Sequence, residues 1–161
     1  MGTSYCYYKG AFYMLGVHAA GVTFEGRQEN LTFVQKVLQK MKYDANRVRY
    51  NVQIDFVRDY DNKYDSNAVK IIARCWDWDN PCLDRLRWGE SHHVLDCGYL
   101  PWYIAKVIAP KMDLGQRFIF HDVRIVEGGK DGMLKGLVFD FFWDASERER
   151  AYFEKQAQAV G

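Results

Sequence analysis

A chain of 161 residues is long enough to bury a real core as one domain. Its 48% apolar and 27% charged residues form a globular balance that excludes an intrinsically disordered chain. With 22 Lys and Arg against 21 Asp and Glu, the net charge of +1 argues against broad, sequence-blind coating of nucleic acid, although a compact site using few phosphates stays open.

The opening stretch "MGTSYCYYKGAFYML" has no charged region ahead of a clean apolar core, so no signal peptide is expected. Cys6 stands where a myristoylation pattern needs Ser or Thr. No apolar run approaches the roughly 20 residues of a membrane span, so no membrane partner is expected. Residues 12–24, "FYMLGVHAAGVTF", read as one strand or two with a bend near Gly16 or Gly21. From 27 to 42, Leu31, Val34, Leu38 and Met41 recur at steps of three and four, one face of a helix.

"RVRYNVQIDFV" then alternates, placing Val48, Tyr50, Val52, Ile54 and Phe56 on one side of a strand. "NAVKIIARCW" is expected to pair with it as a hairpin. Residues 77–91, with the Asn80-Pro81 breaker, read as an inserted loop, and "HHVLDCGYL" as another short strand. Pro101 suits the first turn of a helix with Ile104, Val107, Ile108 and Met112 on one face. "QRFIFHDVRIV" and "LKGLVFDFFW" are strands joined across the glycine-rich "EGGKDGM". Asp144 and Glu147 resemble a capping pair ahead of a last helix. Five to seven strands and three helices, with strands dominating the middle, predict a mainly β fold of the α+β class. Its expected form is a small OB-like, partly open β-barrel with two or three helices. No repeat or linker divides residues 1–161, which read as a single domain.

The turn "RDYDNKYDSNAVKI", residues 58–71, carries Tyr60 and Tyr64 among Asp59, Asp61, Asn62, Asp65 and Asn67, where small polar residues would suffice. The segments "GVTFEGRQ" (21–28), "DNKYDSNAVKI" (61–71) from this turn and "CGYLPWYIAKVIAP" (97–110), in that order along the chain, resemble the HIRAN domain. That domain stands at the front of helicase-like remodellers and also occurs alone. The resemblance spans about residues 16–127 and leaves outside it the aromatic segment 1–15, the insert 77–91 and a strand-helix extension at 134–161. It implies an OB-like barrel which, in the best-understood member, captures the 3′ end of single-stranded DNA. Two departures stand out: Lys63 replaces the usual proline of the turn, and Thr23 occupies the place of an arginine in that member.

Under this resemblance Phe24 and Tyr64 are expected to stack on bases. Asp65, an acceptor at neutral pH, would receive the terminal hydroxyl, with Asn62 and Asp61 of the same turn beside the sugar. Arg27 and Tyr99 would border the phosphate path, where Thr23 in place of an arginine weakens one inherited contact. Tyr99 and Trp102 flank Pro101 at a helix N-terminus with free N–H groups. The residues alone leave plainer roles open. Tyr64 can fold back as a lid, Asp65 and Asn67 can cap the turn, Phe24 and Trp102 can pack inward, and Arg27 can be solvated.

Cys75, Cys82, His92, His93 and Cys97 supply enough ligands for zinc but without paired spacing, and buried free thiols explain them better. The sequence lacks a phosphate loop, a nucleophile elbow and an H-E-x-x-H pair. Asp55, Asp59, Asp61 and Asp65 are candidates for Mg²⁺ in a nuclease, or for ordinary turn chemistry. The favoured reading is therefore a non-enzymatic module without cofactor that binds single-stranded DNA at its 3′ end, in repair or replication-fork processing. Its expected partners are that DNA and a helicase, nuclease or other DNA-processing protein. The cysteine usage suggests a reducing cytoplasm, nucleoid-associated if bacterial. The alternatives are a protein-interaction module on the same barrel and a metal-dependent nuclease.

Overall fold

The computed structural model describes residues 5–45, 47–83, 92–128 and 132–160. In chain order these residues form β1 (Cys6–Tyr8), β2 (Ala11–His18), α1 (Arg27–Met41), β3 (Tyr50–Arg58), β4 (Val69–Asp77) and β5 (His93–Tyr99). There follow α2 (Trp102–Asp113), β6 (Ile119–Gly128), β7 (Leu134–Asp144) and α3 (Glu147–Val160). Two antiparallel sheets run in the orders β1-β2-β7-β6 and β3-β4-β5. The fold is mainly β with three helices among the described residues, as the alternating sequence requires.

The two sheets meet along unequal seams. At one seam Ala20 and Tyr99 exchange backbone bonds, Ala20 N to Tyr99 O at 2.7 Å and Tyr99 N to Ala20 O at 2.9 Å. At the other, side chains close the gap. Phe56 of β3 meets Phe118 and Phe120 near β6 with centroids 5.6 and 4.8 Å away, and Phe141 of β7 at 5.1 Å. One hydrogen-bonded seam and one aromatic seam make an OB-like barrel that is partly open.

Helix α1 packs against the barrel through Leu31, Val34 and Val37, all fully buried. Burying each such side chain stabilises the fold by about 1.5–3 kcal/mol. Val37 falls outside the expected face, while Leu38 and Met41 are only half-buried, so the buried stripe is rotated toward Val37. The head of α1 is tied to β7 by Gln28. Its Nε2 donates to Val22 O and Lys135 O, and its Oε1 accepts from Lys135 N, each at 2.9 Å.

Several sequence expectations shift. Val48 is exposed and lies ahead of β3. Residues 6–8 form a strand that was not foreseen, because Tyr7 packs between Phe12 and Phe153 with centroids at 5.5 and 4.7 Å. The cap of α3 is not Asp144 with Glu147 but Ser146 with Glu149. Glu149 N donates to Ser146 Oγ at 3.2 Å and Ser146 N to Glu149 Oε1 at 3.0 Å, whereas Asp144 ends β7. Of the 77–91 insert, residues 84–91 lie outside the described residues, as do 129–131 of the glycine-rich turn.

Candidate nucleic-acid interface

Between β2 and α1 the chain makes two tight turns, Phe24 N bonding to Gly21 O and Arg27 N to Phe24 O. The second turn swings Arg27 back over the first. Its Nη1 donates to Gly21 O at 2.7 Å and its Nη2 to Asp96 Oδ2 at 3.3 Å. The guanidinium lies 5.3 Å from the ring centroids of both Phe24 and Tyr99. A cation held between two rings loses most of its rotamer freedom before any ligand arrives. Arg27 is therefore neither solvated nor reaching outward; only 11% of its side chain is exposed.

Asp96 can serve Arg27 because β5 bulges there: the register shifts between Ile71 and Ile72, opposite Gly98 and Asp96. Asp96 Oδ1 accepts from Gly98 N at 3.0 Å, and its backbone oxygen accepts from Asn30 Nδ2 at 2.8 Å. Gly98 has φ +119, and a Cβ there would lie 2.3 Å from Ala20 O. Only glycine lets β5 approach the end of β2 closely enough for the Ala20–Tyr99 bridge.

The turn from β3 to β4 forms the facing wall. Asn62 Oδ1 accepts from Tyr64 N at 2.9 Å and Asp65 N at 3.0 Å, and Asp65 Oδ1 accepts from Asn67 N at 2.8 Å. The Asx residues thus cap the turn. Among the described residues no donor occupies Asp65 Oδ2. Tyr60 and Tyr64 diverge. Tyr60 donates its hydroxyl to Asp113 at 2.8 Å beneath the Arg58 guanidinium, fastening the turn to the end of α2. Tyr64 is 98% exposed, so it is no lid.

Tyr99 donates its hydroxyl to Asp59 Oδ2 at 2.6 Å. That bond is the main reason the Asp59 carboxyl is held below its ordinary range, with Lys70 and Asn62 adding to it. Burial, and then the Asp59 carboxylate, push the Tyr99 phenol up. Both shifts favour one state, a neutral phenol donating to a charged carboxylate.

Ala20, Gly21, Phe24, Arg27, Asn62 and Tyr99 line a recess of about 390 Å³. Four expected site residues, Phe24, Arg27, Asn62 and Tyr99, converge on it. Phe24 is 69% exposed at its lip rather than packed inward. Tyr64 and Asp65 sit on the adjoining turn without lining the recess. Thr23 and Asp61 are exposed and do not line it either. Trp102 stands exposed at the head of α2, edge-on to Tyr103, and likewise stays outside the recess wall. Asp59 and Asp96 were not foreseen as partners of Tyr99 and Arg27; the one signal for Asp96 is its place two residues before Gly98.

The other chemistries find no assembled centre. Cys75 and Cys97 are buried, and burial pushes both thiols up to about 12. Among the described residues no three His, Cys, Asp or Glu side chains converge on a metal position. Of the four aspartates weighed for Mg²⁺, Asp55 faces Arg74 at 3.6 Å, Asp59 holds Tyr99, and Asp65 caps the turn.

A family model described as the HIRAN domain matches residues 2–131. The match takes in the N-terminal strand and the 77–91 stretch, and it contains every residue of the recess. No curated protein and no solved structure matches the chain. The family match supports nucleic-acid binding as the general class of activity. From the profile over residues 2–131, the barrel and the order of its three motifs, the chain belongs to the HIRAN family.

Proposed function

We propose that this chain is a non-enzymatic module that binds single-stranded DNA at a 3′-hydroxyl end. The observation that carries the reading is the recess lined by Phe24, Arg27, Asn62 and Tyr99 beside the exposed Tyr64 ring. The last bases stack on Phe24 and Tyr64, each contact contributing about 1–3 kcal/mol without regard to sequence. Arg27, fixed between two rings and already paired with Asp96, borders the phosphate path as part of the recess wall and loses little further freedom on binding. Asp65 Oδ2 accepts the terminal hydroxyl, and the amide nitrogen of Asn62 serves the sugar or base edge.

This arrangement explains why so nearly neutral a chain can bind DNA. Two stacked bases and one polar clamp replace the many phosphate contacts of a basic groove. A strand interior has no free hydroxyl for Asp65, and a 3′-phosphate meets that carboxylate as a like charge. The same reading places the protein in the cytoplasm, acting beside a DNA-processing enzyme in repair or fork processing. Its test is a binding titration of two short oligonucleotides differing only in the end group, 3′-hydroxyl or 3′-phosphate. The hydroxyl form is expected to bind at least tenfold more tightly; equal affinities contradict the reading, and strand cleavage in Mg²⁺ contradicts its non-enzymatic part.

A further inference from the structure

The outer face of the β3-β4-β5 sheet begins where the recess ends. Along β4 the residues alternate, with Val69, Ile71, Ala73 and Cys75 buried and Lys70, Ile72, Arg74 and Trp76 half-exposed. Lys70 lies opposite Tyr99, the recess wall, and its charge is felt at Asp59. Farther along the same face comes Arg74, then Trp76, stacked on His92 with centroids 4.7 Å apart. Trp78 continues the ladder by donating its N–H to Arg49 O at 3.0 Å. Its ring is 69% exposed, with the Arg49 guanidinium 5.8 Å from the centroid. A tryptophan left so exposed beside an arginine has a face free for a flat partner.

We propose that this face is the track for the rest of the bound strand, running 5′-ward from the end socket over Lys70 and Arg74 to Trp76 and Trp78. The proposal rests on the end-binding reading and extends it. At about 3.3 Å per residue, positions 70 to 78 span roughly 26 Å. That length suits the low end of the footprint of about 4–16 nucleotides seen on OB-type barrels. Cations alternating with rings match what a single strand presents, a charged backbone with bases that stack on any π-face. Three carboxylates lie along the path and each has a partner: Asp55 faces Arg74 at 3.6 Å, Asp96 faces Arg27 at 3.3 Å and Asp59 accepts from the Tyr99 hydroxyl at 2.6 Å. The occupant is a nucleic-acid strand rather than a protein segment because the face is continuous with the socket, so one ligand fills both.

The experiment measures affinity for oligothymidylates of two, four, six and eight residues, each made with a 3′-hydroxyl and with a 3′-phosphate end. Affinity is expected to climb with length and then level off, the octamer binding at least tenfold more tightly than the dimer. Trp78→Ala, at an exposed position, is expected to pull the octamer's affinity down toward the dimer's. Arg74→Ala is expected to lower the salt dependence of octamer binding by about 0.7 in log–log slope. An octamer no tighter than the dimer overturns the track while a retained preference for the hydroxyl end leaves the socket standing. Loss of that preference at every length removes the socket itself, and the track with it.

Discussion

The Tyr64 ring is 98% exposed while Tyr60, four residues earlier, donates its hydroxyl to Asp113, and the difference follows from what each ring can reach. Tyr60 lies under Arg58, whose guanidinium is spent on Asp113 and the turn backbone, so that ring belongs to the scaffold. Nothing in the turn needs the ring of Tyr64. Replacing Phe24 or Tyr64 by Ala is therefore expected to weaken single-strand binding about 5- to 150-fold, the equivalent of about 1–3 kcal/mol. The melting temperature should stay within about 2 °C, because neither ring supports the core. A calorimetric titration beside a thermal melt separates these outcomes; unchanged affinity would remove the ring from the site.

Tyr99 carries the opposite balance, since its hydroxyl bond to Asp59 belongs to the fold. Folding lowers the Asp59 carboxyl below its ordinary value of 3.8, chiefly through this bond. Such a group stabilises the native state above the unfolded value and loses that contribution as pH falls through the folded one. Tyr99→Phe is expected to cost about 1 kcal/mol at neutral pH, or about 2–4 °C in melting temperature. The gap from the parent protein should narrow below pH 3.8. Melts over a pH series check this, and a gap independent of pH would mean that the bond contributes no charge-linked stability.

At the scale of elements, the approach of β5 to the end of β2 decides whether a recess exists. Gly98→Ala would place a methyl 2.3 Å from Ala20 O. Backbone must move, at an expected cost of about 2 kcal/mol or more, and DNA binding should fall with the Ala20–Tyr99 bridge. Gly16→Ala is the matched control. Its φ of +63 is also left-handed but nothing lies within 4 Å, so only the conformational penalty of about 1 kcal/mol remains. Urea unfolding of the two variants gives the comparison; equal losses would mean that the close approach carries no energy.

Elements with a clean period were legible in the sequence: the β3-β4 hairpin, α1, α2 and the β6-β7 pair all lie where alternation or helical spacing placed them. Features set by distant contacts were not. The strand at 6–8 exists because Phe153, at the far end of the chain, gives Tyr7 a stacking partner. Val37 replaces Leu38 on the buried stripe because the tilt of a helix on a sheet is not written in its own spacing. In the site, the residue types were visible and their pairing was not. Arg27 reads as a free cation until Asp96, carried to it by a bulge 69 positions away, fixes its direction.

For the whole molecule, a net charge of +1 argues against a broad basic groove and suits a shaped site that uses few phosphates. The exposed rings, the fixed arginine and the capped acidic turn form one such site on one edge of the barrel. In the proposed reading this site takes the end of a strand rather than its middle. The most direct measurement is a competition between a closed single-stranded circle and the same molecule cut once to expose a 3′-hydroxyl. The account predicts that the linear form displaces a bound probe and the circle, at equal nucleotide concentration, does not. A circle that competes as well as the cut strand would contradict it.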